Sequence, residues 1–195
     1  MTVDGGRLAQ CTAADVPRLA AIRAEREQWM VDSGIDQWRP GSQTRMEILA
    51  QVDGGQWYQL VEPTAPEGDA VAGITGVPER SPARPLRAAA RLMDEDRDFW
   101  GEDRARALYV HGLMVDVAAA GQGLGSRLLE LIAAEGIRRG RELLRLDCAP
   151  HLVPYYRRHD LVEVGQVEFP DFVSILLERR LSAGRAEART PREPR

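Results

Sequence analysis

The residues with the clearest chemical potential are the glycines of Ala120 to Ser126, read AGQGLGS, where Gly121, Gly123 and Gly125 sit between an apolar strand and an amphipathic helix. The strand is YVHGLMV, and the following SRLLELIAAEGIRR places Leu128, Leu129, Leu131 and Ile132 at helical spacing. Glycine lets a phosphate come close to the backbone, and the unpaired N–H groups of a first helical turn favour an anion. The loop therefore reads as a pyrophosphate cradle, the bland alternative being a glycine-rich turn with no ligand.

Its flanks separate the cofactor classes that use such a cradle. A nucleoside-triphosphate loop needs Lys-Ser/Thr after its last glycine, whereas Ser126-Arg127 follows Gly125. A dinucleotide fold is imitated by Gly121, Gly123 and the later acidic Asp147. It lacks its third glycine, because Ser126 stands there, and too little chain follows for a doubly wound sheet.

Other reactive groups flank this unit. Tyr156 carries a hydroxyl with an ordinary pKa of about 10, and His111 an imidazole at about 6.5, so both can exchange a proton with a reacting group. The bland readings are a core tyrosine and a structural strand histidine. His151 reads as a weaker candidate base or a helix cap, and Glu102 and Asp103 as bases if their segment folds over a cleft. Cys148 could act as a nucleophile, but a buried inert thiol is the commoner fate.

Those residues need elements to hold them. Arg7 to Cys11 predicts a strand and Thr12 an N-cap, with one helix over Ala13 to about Ser33 burying Val16, Leu19, Ile22 and Trp29. Thr44 to Val52 predicts a second helix, with Met46, Ile48, Leu49 and Val52 on its apolar face. Residues 57–62 and 70–77 read as a β-hairpin, and about 78–106 as a long insertion whose Phe99 and Trp100 either shape a lid or pin the loop. From Ala107 the pattern is strand to Val115, loop, helix over about Gln122 to Arg139 and strand Leu143 to Cys148. A short helix near Leu152 to Arg158 and strands near 161–169 and 172–181 complete it. This order predicts an α+β fold with a mixed, mostly antiparallel central sheet flanked by helices.

The 195 residues suit a single domain over 1–181, with 182–195 a disordered tail. A charge of −4, from 26 basic and 30 acidic residues interspersed, implies no nucleic-acid partner. Cys11 and Cys148 are far apart and outside any CxxC or Cys/His cluster, so no metal is expected and a reduced cytoplasmic setting fits. There is no export signal and no long apolar run, hence no membrane expectation. A homodimer is the ordinary prior for the assembly of a soluble enzyme.

The chain resembles the GNAT N-acetyltransferases, whose loop after the fourth strand reads Gln/Arg-x-x-Gly-x-Gly/Ala. Gly123 and Gly125 match that pattern, with Ala120 in place of the Gln or Arg. LRLDCAPHLVPYYRRHDL is similar to the family's second acetyl-coenzyme A segment, with Tyr156 on its tyrosine, Asp160-Leu161 where Gly-Phe is usual and His151 where asparagine is common. The resemblance covers roughly residues 5–181 and implies the GNAT acyl-CoA N-acyltransferase fold with acetyl-CoA as cosubstrate. It implies cofactor contacts from the backbone of Leu113, Met114 and Val115 and from Gly121, Gln122, Gly123, Leu124, Gly125 and Ser126, with Tyr156 as the acid. Gly112 would permit a bulge that frees the strand's backbone for the pantetheine arm. The implied activity is direct acetyl transfer to a primary amine of a small-molecule acceptor. A catalytically idle acyl-CoA-binding regulatory module and an NAD-binding enzyme are the alternatives.

Overall fold

The computed structural model describes residues 6–35, 38, 40–62, 86–170 and 172–182. Seven strands form one sheet in the order β1-β2-β3-β4-β5-β7-β6: β1 (Arg7–Gln10), β2 (Trp57–Val61), β3 (Ala88–Met93), β4 (Ala107–Val115), β5 (Leu143–Cys148), β6 (Val162–Glu168) and β7 (Val173–Arg180). The helices are α1 (Val16–Asp32), α2 (Arg45–Asp53), α3 (Arg97–Trp100), α4 (Leu124–Arg138) and α5 (Val153–Arg157). The chain groups into two compact units, one of residues 1–92 and 111–132, the other of 93–110 and 133–195. β4 and α4 each contribute to both.

In the first unit, β1 pairs antiparallel with β2 and β2 with β3. Asp15 accepts from the Thr12 N–H and hydroxyl at 2.7 and 2.9 Å, so the chain enters α1 through a short 3-10 turn at Ala13–Asp15. Along α1 the buried positions are Val16, Leu19, Ile22, Glu27 and Met30. Trp29, expected on that face, is 43% exposed, because the helical stripe passes one residue further on, through Met30. α2 begins on a reciprocal cap in which Glu47 N–H donates to Thr44 Oγ1 at 3.2 Å and Thr44 N–H to the Glu47 carboxylate at 2.7 Å. Ile48 and Val52 are its buried residues, while Met46 is exposed and Leu49 borders on exposure. These side chains meet Trp57, Leu86, Ala89 and Met114 in one core. Each fully buried aliphatic group there contributes about 1.5–3 kcal/mol.

The strand beside β2 is β3, inside the segment expected to be an insertion; the expected strand over 70–77 lies outside the described residues. Ala88-Ala89-Ala90 has helical propensity, but all three are fully buried, and small side chains let a strand be covered closely on both faces. α3 also falls within the expected insertion.

In the second unit β4 runs parallel to β5 from Ala107↔Leu143 to Val110↔Leu146, and β7 is antiparallel to both β5 and β6. Since β1 with β2, β2 with β3, β5 with β7 and β6 with β7 are all antiparallel, the sheet is not doubly wound, which overturns the NAD-binding reading. Trp100 lies edge-on to Tyr109 with centroids 6.0 Å apart and beneath the Arg145 guanidinium at 4.4 Å, and Phe99 meets Phe169 at 5.2 Å. Both rings pin their segment to the second unit. No described helix is long and apolar enough to cross a membrane, and no metal-binding cluster occurs among the described residues.

Candidate active site

The first unit holds the glycine loop. Asp116 accepts from Ala118 N–H at 2.9 Å and starts the 3-10 turn Val117–Ala119, after which Gly121 and Gly123 reverse the chain with φ of +78° and +74°. An L side chain is strained at such φ, so these two positions require glycine. A Cβ on either would meet no atom within 4 Å, so the loop faces open space. Arg127 N–H donates to Gly123 O at 3.0 Å as α4 begins, with Leu124 and Gly125 buried and Ser126 half-buried. The helix thus presents its first-turn N–H groups, and the positive end of its dipole, at this opening.

Ala120 is exposed and supplies no polar side chain. A cation reaches the loop from β3's approach instead. Arg87 donates to Gln122 Oε1 and, at 3.0 Å, to Glu62, which also accepts from Arg127 at 3.4 Å. Arg87 lay in the segment expected to be an insertion, so nothing local marked it as a neighbour of Gln122.

β4 continues five residues beyond its last register pair with β5, through Val115. Gly112 has φ +55°, outside extended geometry, and a Cβ there would stand 3.2 Å from the Trp57 ring. The strand is therefore kinked where glycine permits it. Met114 points into the core, Leu113 and Val115 are half-buried, and the Val115 carbonyl accepts from Arg26 Nε at 2.6 Å. Arg18 pairs with Asp116 and donates at 3.3 Å to Leu86 O, so two α1 arginines anchor the end of β4.

Beside this kink lies a cavity of about 320 Å³ whose walls include Arg23, Trp38, Gln51, Trp57, Arg91 and His111. The first two helices thus contribute to a pocket together with β4, and two tryptophans, Trp38 and Trp57, line it. Arg23 stacks on Trp38 with its guanidinium carbon 3.7 Å from the ring centroid, and its Nε donates to Glu27 at 2.6 Å. Burial lowers the Arg23 pKa, opposed by its hydrogen bond to Glu27 and that carboxylate's charge. Gln51 Oε1 accepts from both Trp57 Nε1 and Gln43 Nε2, each at 2.9 Å.

The second unit carries Tyr156, on α5, which follows a 3-10 turn at Pro150–Leu152 containing the exposed His151. Tyr156 is 8% exposed, and its ring meets that of Tyr155 edge-on at 5.1 Å. Burial, then the neighbouring Cys148, Tyr155 and Asp147, pushes its hydroxyl well above the ordinary tyrosine range. Cys148 is pushed up to about 12, first by burial and then by Asp147 and Glu163, so its thiol is protonated at neutral pH and unsuited to acyl transfer. Asp103 is paired with Arg145, whose hydrogen bond is the first cause holding its carboxyl below the usual range, which makes it a poor base.

Asp160 follows α5 with φ +59°, the one positive value among described non-glycine residues, and Leu161 beside it is 1% exposed. The pair standing for Gly-Phe thus keeps both physical requirements, a left-handed backbone and a buried apolar anchor.

The sheet is mixed, and β4, kinked at Gly112, is followed by the glycine turn that opens α4. A profile of the Acetyltransferase (GNAT) family matches residues 24–160, and the chain belongs to that family. It is 26% identical over 162 residues to the uncharacterized N-acetyltransferase YesJ of Bacillus subtilis (strain 168), covering 80% of this chain and 81% of that protein. A GNAT-family acetyltransferase structure from Listeria monocytogenes 4b F2365 superposes with a TM-score of 0.67 at 20% identity, over 93% of this chain and 99% of that one. N-acetylglutamate synthase from Neisseria gonorrhoeae, solved with coenzyme A and N-acetyl-glutamate, superposes with a TM-score of 0.60 at 18% identity. It covers 93% of this chain and 36% of that one.

Proposed function

We propose that this protein is an N-acetyltransferase that moves the acetyl group of acetyl-CoA directly to the primary amine of a small molecule. The observation that carries this reading is the open glycine turn at Gly121 and Gly123 running into the first turn of α4, a cradle that any Cβ would strain. Gly121 to Ser126 would hold the pyrophosphate through backbone N–H groups, with Arg87 supplying the cation that Ala120 lacks. The backbone of Leu113 to Val115 would receive the pantetheine arm. The Val115 carbonyl already accepts from Arg26, so one of its two lone pairs is engaged.

Acetyl-CoA supplies the activated acyl group, and the chain's own residues manage protons and position. His111, on the wall of the cavity, takes the proton from the acceptor ammonium and so exposes the nitrogen lone pair. Tyr156 returns a proton to the leaving sulfur. Burial raises its pKa, which keeps it protonated throughout the working pH range and at the same time makes it a weaker acid than a tyrosine in water. The protonated Cys148 thiol supports direct transfer over a covalent acyl-enzyme.

Titration of the purified protein with acetyl-CoA tests the reading, with saturable binding expected in the micromolar range and none at millimolar ligand overturning it. Thiol release across an amine panel then separates the enzyme from an idle acyl-CoA-binding module, the reading favoured by Ala120. Binding without any thiol release would favour the idle module.

A further inference from the structure

We infer that Glu27 is a positioning residue for the acceptor, one that fixes the wall of the cavity of about 320 Å³ through Arg23 and the connection between α1 and α2 without itself lining that cavity. This rests on the reading of the chain as an N-acetyltransferase whose acceptor enters that cavity.

Glu27 lies within α1 and is 4% exposed, while the helix's other buried residues are apolar. A carboxylate withdrawn from water is costly unless it is paired and hydrogen-bonded, and here both oxygens find donors. Oε1 accepts from Arg23 Nε at 2.6 Å and from Ser42 Oγ at 3.4 Å, and Oε2 accepts from the Gly41 N–H at 2.9 Å. Arg23 stands one turn back on the same helix, but the other two donors come from the connection that leads to α2. The carboxylate therefore fastens that connection to α1.

What it fastens belongs to the cavity. Arg23 Nη2 donates to Ser42 Oγ at 3.2 Å, and the guanidinium carbon lies 3.7 Å from the centroid of the Trp38 ring. Arg23, Trp38 and Ser42 all line the cavity, so one buried carboxylate sets the placement of three wall residues. Gly41 turns the chain at φ +75°, and a Cβ on it would meet no atom within 4 Å, so hydrogen bonds rather than packing hold this turn. Apolar side chains of similar volume often stabilise as well as a buried ion pair does. Such side chains would not hold a planar guanidinium in one orientation between a carboxylate and an indole face, as Glu27 does here.

The experiment compares wild type with Glu27→Gln, which keeps an amide oxygen for the Gly41 N–H and removes the charge that holds Arg23. Acetyl-CoA affinity is read by calorimetry. Amine KM and kcat are read by thiol release, with whichever of L-lysine, spermidine, phenethylamine and D-glucosamine the wild type turns over fastest. The amine KM is expected to rise about tenfold or more, with kcat within about threefold and the acetyl-CoA Kd within about twofold of wild type. A merely structural role would move all three together or none. Arg23→Met/Glu27→Met exchanges the buried pair for apolar side chains, keeps the test valid if Glu27→Gln does not fold, and should show the same rise in KM at native cofactor affinity. An unchanged amine KM, or a rise matched by an equal loss of cofactor affinity, would overturn the inference. Turnover with an unchanged KM sinks only the role of Glu27, whereas no thiol release from any of the four amines sinks the enzyme reading and this inference with it.

Discussion

Arg87 and Gln122 are joined across 35 positions of sequence, the guanidinium on the approach to β3 donating to Oε1 of a residue inside the glycine loop. The contact brings a charge to a loop whose own polar position is Ala120, and Glu62 holds the arginine from its other side at 3.0 Å. A phosphate at the loop would compete with Gln122 for this guanidinium. Arg87→Gln is therefore expected to weaken acetyl-CoA binding about tenfold at low salt, with a smaller effect at high ionic strength. Calorimetric titration at two salt concentrations checks this, and unchanged affinity in both would remove Arg87 from the cofactor site.

Gly123 should be intolerant for a different reason. With φ +74° and its would-be Cβ pointing into open space, substitution adds both backbone strain and bulk at the anion's approach. Gly123→Val is expected to raise the Kd for acetyl-CoA by at least tenfold while far-ultraviolet dichroism stays native. Retained affinity would refute the placement.

Tyr156→Phe is expected to lower kcat by about ten- to a thousand-fold with little change in cofactor affinity, as loss of a general acid does. Since burial raises the Tyr156 pKa, the wild-type rate should show no loss from tyrosinate formation up to pH 10. A pH–rate profile and the variant's full retained turnover are the two ways this can fail.

The buried thiols give an alkaline limit to stability. Cys11 and Cys148 are each raised from 9.0 to about 12, in both cases first by burial. Their folded-state stabilisation is complete below the unfolded pKa. Between pH 9 and 12 the unfolded chain loses these protons while the folded chain keeps them, so stability falls as pH rises, by up to about 1.4 kcal/mol per unit per thiol. Melting temperatures measured from pH 7.5 to 10.5 should drop above pH 9. The slope should be shallower in a Cys11→Ala/Cys148→Ala variant, and an equal slope would contradict the assignment.

Asp160 holds a left-handed backbone at φ +59° that glycine adopts without strain. Asp160→Gly is accordingly expected to be neutral to stabilising by up to about 1 kcal/mol, the relief of strain being offset by the greater entropy of an unfolded glycine. Denaturant melts test it. A loss beyond 1 kcal/mol would mean that the aspartate side chain contributes contacts that outweigh the strain.

Much of the chain from β4 to α5 was legible in the sequence because its signals are local. β4 and β5 occupy the spans expected of them, Ala107–Val115 and Leu143–Cys148, and α4 lies two residues inside its expected start. The glycine turn needed only Gly121 and Gly123, whose φ values are a property of the chain at that point. Tyr156 was singled out by the resemblance of its segment to the family's second acetyl-coenzyme A segment. Its burial was not legible there, and its raised pKa follows from that burial and from neighbours such as Cys148 and Asp147 gathered by the second unit.

The other features depended on what the chain meets at a distance. Three consecutive alanines carry no strand signal, and Ala88 to Ala90 became β3 because β2 supplied hydrogen-bonding partners and the core left room for nothing larger. Glu27 reads locally as one more charge on α1, yet burial beside Arg23 makes it the frame of a pocket. The sequence by itself determined the loop, its helix and the order of elements around them, since each rests on residues within a few positions. Only the tertiary structure decided which arginines face the loop and the cavity, because a guanidinium's partners are set by packing across tens of residues.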